Sequence, residues 1–186
     1  YRDSVLFKVL YAWGLRRNEA AMLDVSDWSA NASAPQFGRY GAVSVRYGKA
    51  SKGSSPKRRS VLTAMAWAAE AVAEWVSEIR PEYSSSGPML WPTERGGRIT
   101  ASQIGARFNL IRDAMGLDPA LHPHCLRHAY VTHQLEDGYD HLFIQQQVGH
   151  AWGSTTAQYT SVSSDYKNDA LRRALRRAYE DQESDS

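Results

Sequence analysis

A mainly helical domain with a small antiparallel β-sheet is what this sequence predicts, and three observations carry the prediction. Apolar residues recur at helical spacing in seven segments, whereas strict alternation is confined to two short stretches. The chain has 186 residues, 42% hydrophobic and 23% charged, which suits one globular domain or at most two small ones. At this length folding buries roughly 70% of the surface exposed by the unfolded chain, so neither a disulfide nor a structural metal is needed for stability. Wholesale disorder and collagen-like fibres are excluded.

The elements follow in order. Val5, Leu6, Val9, Leu10 and Trp13 lie on one helical stripe that stops near Gly14, and RRNEAAMLDV forms a second helix before Ser26. Residues 42–47, AVSVRY, alternate, and RRSVLT returns after the Lys-, Ser- and Gly-rich stretch 48–57. This predicts a β-hairpin over about 42–62 with a long basic tip. A helix over 63–80 aligns Met65, Ala68, Val72, Trp75, Val76 and Ile79 toward a core, and Pro81 ends it. Residues 82–99 read as loop. Thr100 and Gln103 then form a capping box for a helix with Ile104, Phe108, Ile111 and Met115 on its apolar face, closed by Gly116. Pro123 opens a helix that ends at Gly138, and Asp140 opens one that reaches Gly149. After the polar turn HAWGSTTAQYTS, a charged helix carries Ala170, Leu171, Ala174, Leu175, Ala178 and Tyr179 as a stripe suited to a partner. No internal repeat is present.

Charge and cysteine content narrow the function classes. The net charge is +2, yet the tail Glu180, Asp181, Glu183 and Asp185 leaves residues 1–179 with 22 bases against 16 acids, or +6. The bases cluster in KASKGSSPKRR and LRRALRRA, which suits a phosphate backbone and equally a solvated face. Lys52, Lys57, Arg58 and Arg59 are the DNA-contact candidates of the first cluster. Cys125 is the only cysteine, so no internal disulfide and no CxxC motif exists, and a reducing, cytoplasmic setting is expected. No run of 18 apolar residues is present, and Arg2, Asp3 and Lys8 interrupt any signal-peptide core. The chain starts at Tyr1 without Met, which raises the expectation of a piece cut from a longer protein.

His124 and Arg127, three apart on a helix, share one face and can grip one anion. Arg offers a planar fork for two phosphate oxygens, and His can donate or move a proton. As a lone pair they are equally surface decoration. Arg16 stands at a helix start three residues before Glu19, either as a local ion pair or as a held, oriented guanidinium. His122, His124 and His128 do not make a metal site, because residues two apart on a helix diverge and no acidic or Cys ligand accompanies them. His128 and His133 read as packing or hydrogen-bonding residues. Cys125 beside His124 reads as a filler thiol, not a nucleophile, since neighbours on a helix point apart.

The order of GLRRNE, YGKASKG, HPHCLRHAYVTH, QQVGH and TTAQYT resembles the catalytic domain of the tyrosine recombinase (phage integrase) family over residues 3 to 180. The intervals of 26 residues from His124 to His150 and 9 from His150 to Tyr159 are close to the family's. The resemblance implies the integrase catalytic-core fold and an active site of Arg16, Lys49, His124, Arg127, His150 and Tyr159, with Glu19 in support. Two Arg and two His donors then stabilise charge growing on the non-bridging oxygens, with no metal and no cofactor. Tyr159 attacks phosphorus to form a 3′-phosphotyrosyl link. A phenol of pKa about 10 needs a base, for which His124 is placed, and Lys49 on the hairpin supplies the leaving 5′ oxygen with a proton. Tyr130, Tyr139 and Tyr166 compete with Tyr159, and Lys52 and Lys57 with Lys49.

The function implied is site-specific cutting and rejoining of double-stranded DNA without ATP. The resemblance also implies residues 1–163 as a core and 164–186 as a partner-docking helix with an acidic tail, Leu171 and Leu175 meeting a neighbour. A homotetramer on DNA is expected of the full-length protein and a monomer of this fragment, whose family's N-terminal DNA-clamping domain is expected to be absent. A type IB topoisomerase shares the chemistry, though small size and the partner-like helix speak against it. A non-catalytic DNA-binding module of the same fold is the alternative from another class.

Overall fold

The computed structural model describes residues 1–46, 58–83, 87–149, 168–169, 171–173 and 175–176. Helix α1 (Arg2–Ala12) runs through the centre, with Val5, Leu6, Val9 and Leu10 buried, as its stripe requires. Helix α2 (Arg17–Ala21) is shorter than its sequence suggests. The backbone N–H of Asp24 donates to Asp27 Oδ2 at 2.8 Å and the chain turns there, an alternative that short acidic side chains offer the backbone.

Strands β1 (Trp28–Ser29), β2 (Ala42–Val45) and β3 (Arg59–Leu62) form an antiparallel sheet in that order. Pairing of Ala42 with Leu62 and of Val45 with Arg59 gives the expected hairpin stem. The tip, with Lys49, Lys52 and Lys57, lies outside the described residues. β1 was not expected, since two residues are too few to show alternation; Trp28 joins opposite Val43 through its ring, which meets Trp13 edge to face at 4.9 Å.

Helix α3 (Ala66–Glu74) begins three residues later than its periodicity implies. Thr63 instead prolongs the strand, its N–H donating to Gly41 O at 2.9 Å and its hydroxyl to Tyr40 O. Residues Trp75–Ile79 widen into a π-turn before Pro81, and Trp75 anchors the change by donating Nε1–H to Leu90 O at 3.0 Å. Trp13, Trp28, Trp75 and Trp91 are buried; each such ring contributes on the order of 2–3 kcal/mol through area removed from water.

Helix α4 (Ala101–Ala114) has the Thr100–Gln103 capping box, but only Ile104 of its expected apolar face is fully buried, and Met115 is exposed. Helix α5 (Pro123–Glu136) and α6 (His141–Val148, N-capped by Asp140) complete the scaffold. Gly14, at φ +56°, turns the chain from α1 toward α2 where it passes close to α5; a Cβ there would stand 2.5 Å from the Tyr130 ring.

The described C-terminal residues are helical. Leu171 is only 1% exposed and belongs to this chain's own core, with Leu175 packed partly against it. Asn31 Nδ2 donates to Asn168 Oδ1 at 3.0 Å and Arg172 Nη2 to Ser33 Oγ at 3.1 Å. The apolar surface of Leu171 is thus covered within the chain. Among the described residues no helix is long and apolar enough to cross a membrane.

Candidate active site

The C-terminal end of α6 organises the site. A helix end leaves carbonyls without intrahelical partners and carries partial negative charge, which attracts guanidinium groups. Three arginines distant in sequence meet this need, one carbonyl each. Arg59 Nε donates to Gln147 O at 2.8 Å, Arg127 Nη2 to Val148 O at 2.5 Å, and Arg16 Nη2 to Gly149 O at 3.4 Å. Gly149 itself is in the left-handed conformation at φ 62°, closing the helix as glycine does at this position.

One buried carboxylate holds two of these arginines. Glu19, 2% exposed, accepts from Arg16 Nη1 and Arg59 Nη1 on Oε1 at 2.9 and 2.8 Å. Its Oε2 accepts from the Arg16 backbone N–H and Arg59 Nη2 at 2.8 and 2.9 Å. Burial pushes the Glu19 carboxyl upward, but Arg59 and the Arg16 backbone more than offset it, and the group is held below the ordinary carboxylate range.

Arg127 is 2% exposed and also donates Nη1 to Gly14 O at 2.6 Å. Burial first, and the Arg16 charge second, lower its pKa to about 9, so it stays charged at neutral pH. His124, one turn earlier on α5, is exposed and meets the His128 ring at 4.5 Å between centroids. Partial desolvation, then His128 and Arg127, hold its pKa below the ordinary imidazole value, which favours the neutral, proton-accepting form. The cluster thus runs from a buried guanidinium to a solvent-facing imidazole. Three guanidiniums against one carboxylate leave two positive charges in excess, an arrangement suited to a phosphate group.

The structure brings Arg16, Glu19, His124 and Arg127 together. Arg58 is exposed, whereas Arg59, read beside it as a DNA contact, is turned inward, its side chain 11% exposed and bound to Glu19. Sequence reasoning missed that role, for which alternation along β3 was the one available signal: Val61 is buried on the same side. It also missed Gln147, whose amide accepts from Leu62 N–H at 3.0 Å and donates to Leu62 O at 2.9 Å, fastening α6 to β3. Lys49, Lys52, Lys57, His150, Tyr159 and Tyr166 lie outside the described residues. Of the competing tyrosines, Tyr130 is fully buried with its pKa raised by desolvation, and Tyr139 is pushed up to about 12 for the same reason. Cys125 Sγ lies 3.5 Å from His122 Nδ1. Among the described residues no three His, Cys, Asp or Glu side chains gather closely enough to hold a metal ion.

Comparison with known proteins agrees in sequence and in fold. A family model described as the phage integrase family matches residues 1–165. The tyrosine recombinase XerC of Shewanella amazonensis is 31% identical over 161 residues, covering 87% of this chain and 49% of that protein. The crystal structure of XerA recombinase superposes with a TM-score of 0.65 at 26% identity, covering 97% of this chain and 56% of the other. The site-specific recombinase XerH, solved in a pre-cleavage complex with its difH substrate, gives a TM-score of 0.61 at 25% identity over 91% of this chain and 45% of that one. The chain spans about half the length of the curated relatives it matches.

Proposed function

The chain belongs to the phage integrase family, and from that premise we propose that it is the catalytic part of a site-specific DNA recombinase. One observation carries the reading: Arg16 and Arg127 reach consecutive carbonyls at the end of α6, beside a neutral-leaning His124 and over a single buried carboxylate. The site therefore has guanidinium donors for a phosphodiester and a proton acceptor at its rim.

In the proposed reaction the Tyr159 oxygen attacks the scissile phosphorus. Its proton passes to His124, a 3′-phosphotyrosyl bond forms, and the bond to the 5′ oxygen breaks. Lys49 delivers a proton to that oxygen, releasing a 5′-hydroxyl. Arg16, Arg127 and His150 stabilise the charge on the non-bridging oxygens, which is the electrostatic role that preorganised donors perform without metal or ATP. The phosphotyrosyl bond conserves the energy of the broken one, so a second 5′-hydroxyl reverses the step on a new strand. The proposed partner is double-stranded DNA, with assembly into a tetramer on two sites; the neighbour XerH is a site-specific recombinase solved bound to its difH substrate.

A nicked duplex that loses its 5′ fragment on cleavage traps the covalent intermediate. A randomised pool of such duplexes should yield a protein–DNA adduct stable to denaturation and mapped by peptide analysis to Tyr159, and Tyr159→Phe should form none. An adduct retained by Tyr159→Phe, or no adduct from the unaltered chain, would reject the reading.

A further inference from the structure

The Arg59 guanidinium is held in four directions, and none of them leads to solvent. Nη1 and Nη2 form the two-point pair with Glu19, Nε donates to Gln147 O, and one face lies against Gly149, where a Cβ would stand 3.0–3.2 Å from Arg59 Cδ, Nε and Nη1. Three of the five N–H donors an arginine carries are thus engaged inside the chain. Adjacent Arg58 is exposed, so the two bases of the hairpin's return strand serve different ends.

Glu19 connects Arg59 to Arg16. Each carboxylate oxygen takes one bond from each arginine, so the plane that Arg59 fixes by its fork also fixes where Arg16 Nη1 must lie. Without the Arg59 fork, Glu19 would keep only the bonds at 2.8 and 2.9 Å from its own helix turn and could rotate about its last torsion. The second connection runs through Gln147 O to the end of α6, two residues before Gly149, which His150 follows in sequence.

We infer that Arg59 is a positioning residue for strand transfer, orienting Arg16 through Glu19 and fixing the end of α6 that leads to His150. The inference rests on the recombinase reading of the same site. It assigns Arg59 a role separate from DNA contact: the transition-state geometry depends on it and the affinity for the duplex does not.

The test uses the whole chain and the nicked duplex that gives most adduct with the unaltered protein. Arg59→Gln and Arg59→Lys should each lower the rate of adduct formation at saturating DNA by about 10- to 100-fold, the cost of misplacing a catalytic group. The DNA concentration for half-maximal rate should not move. The pair Glu19→Gln with Arg59→Gln removes the buried charge on both sides, so it should melt near the unaltered protein and stay slow. A raised half-saturation with an unchanged saturated rate would make Arg59 a phosphate contact, and a double variant restored in rate would make it merely structural; either overturns the inference. Failure of the unaltered chain to form any adduct would reject the recombinase reading instead. The Glu19 carboxyl titration, followed by 13C NMR, then decides for Arg59: it should move up toward the ordinary range in Arg59→Lys, and an unmoved titration overturns the inference.

Discussion

Among the described residues two helix ends are closed by arginines, and they differ in how many carboxylates stand behind them. At the end of α2, Arg98 donates to Ala21 O and Leu23 O at 3.2 and 2.9 Å and Arg46 to Met22 O at 3.3 Å. Asp24 and Asp27 pair with those same arginines, two acids for two bases. At the end of α6 one acid, Glu19, stands among three arginines and pairs with two of them, Arg16 and Arg59. The first cluster is neutral and ties β2 and the segment before α4 to α2. The second uses the same device and leaves charge over, which is what separates an anion site from a brace.

The sharpest way to break this comparison is to truncate the innermost arginine of the unbalanced cluster. Arg127→Ala should lower the rate of adduct formation by about 100- to 1000-fold, the usual loss on removing one transition-state donor, measured on the nicked duplex. Next in size, Arg98→Met should cost about 2 kcal/mol of stability, about 30-fold in the folding equilibrium, by leaving Asp24 short of a charged donor. Denaturant unfolding reads that loss, and the adduct rate per folded molecule should be unchanged. A rate loss in Arg98→Met comparable with that of Arg127→Ala would end the distinction between the clusters.

Smaller again is the response to pH at the solvent-facing rim. A base must be neutral to accept the tyrosine proton, and the folded pKa of His124 is lowered from 6.5. Adduct formation should therefore rise with pH by about tenfold per unit through a pKa below that value and flatten above it. His128→Ala removes the second cause of the shift and should move the acidic limb to higher pH in a pH–rate profile. Stability runs in the same direction for a different reason. The Glu19 carboxyl is lowered in the folded chain, so its contribution is complete above the ordinary value of 4.5 and is lost as pH falls through the folded pKa. Asp24, also lowered, behaves likewise.

Helices α1, α4, α5 and α6 were legible nearly to the residue from local signals, because capping residues and glycines mark their ends: Thr100, Pro123, Asp140 and Gly149 each stand where expected. The hairpin stem was legible from its alternation. What stayed hidden depends on tertiary contact. Met115 lies on a regular apolar stripe, yet nothing in a stripe says how far the neighbouring helix extends, and it is exposed. Leu171 likewise shows its spacing but not the surface it meets. In the site, Arg16, Glu19 and the pair His124–Arg127 could be named from motifs. That Arg59 would face Glu19 could not, since a base in a basic run reads as solvated until the fold places a buried acid against it.

The Gln147 amide at Leu62 has one more effect. Strand β3 ends the sheet, and its outward peptide group at Leu62 is the kind of open template on which another polypeptide can lay a strand. A side-chain amide occupies that N–H and that carbonyl from within the same molecule. The ribbon is thereby sealed at that point against β-augmentation and edge-to-edge aggregation.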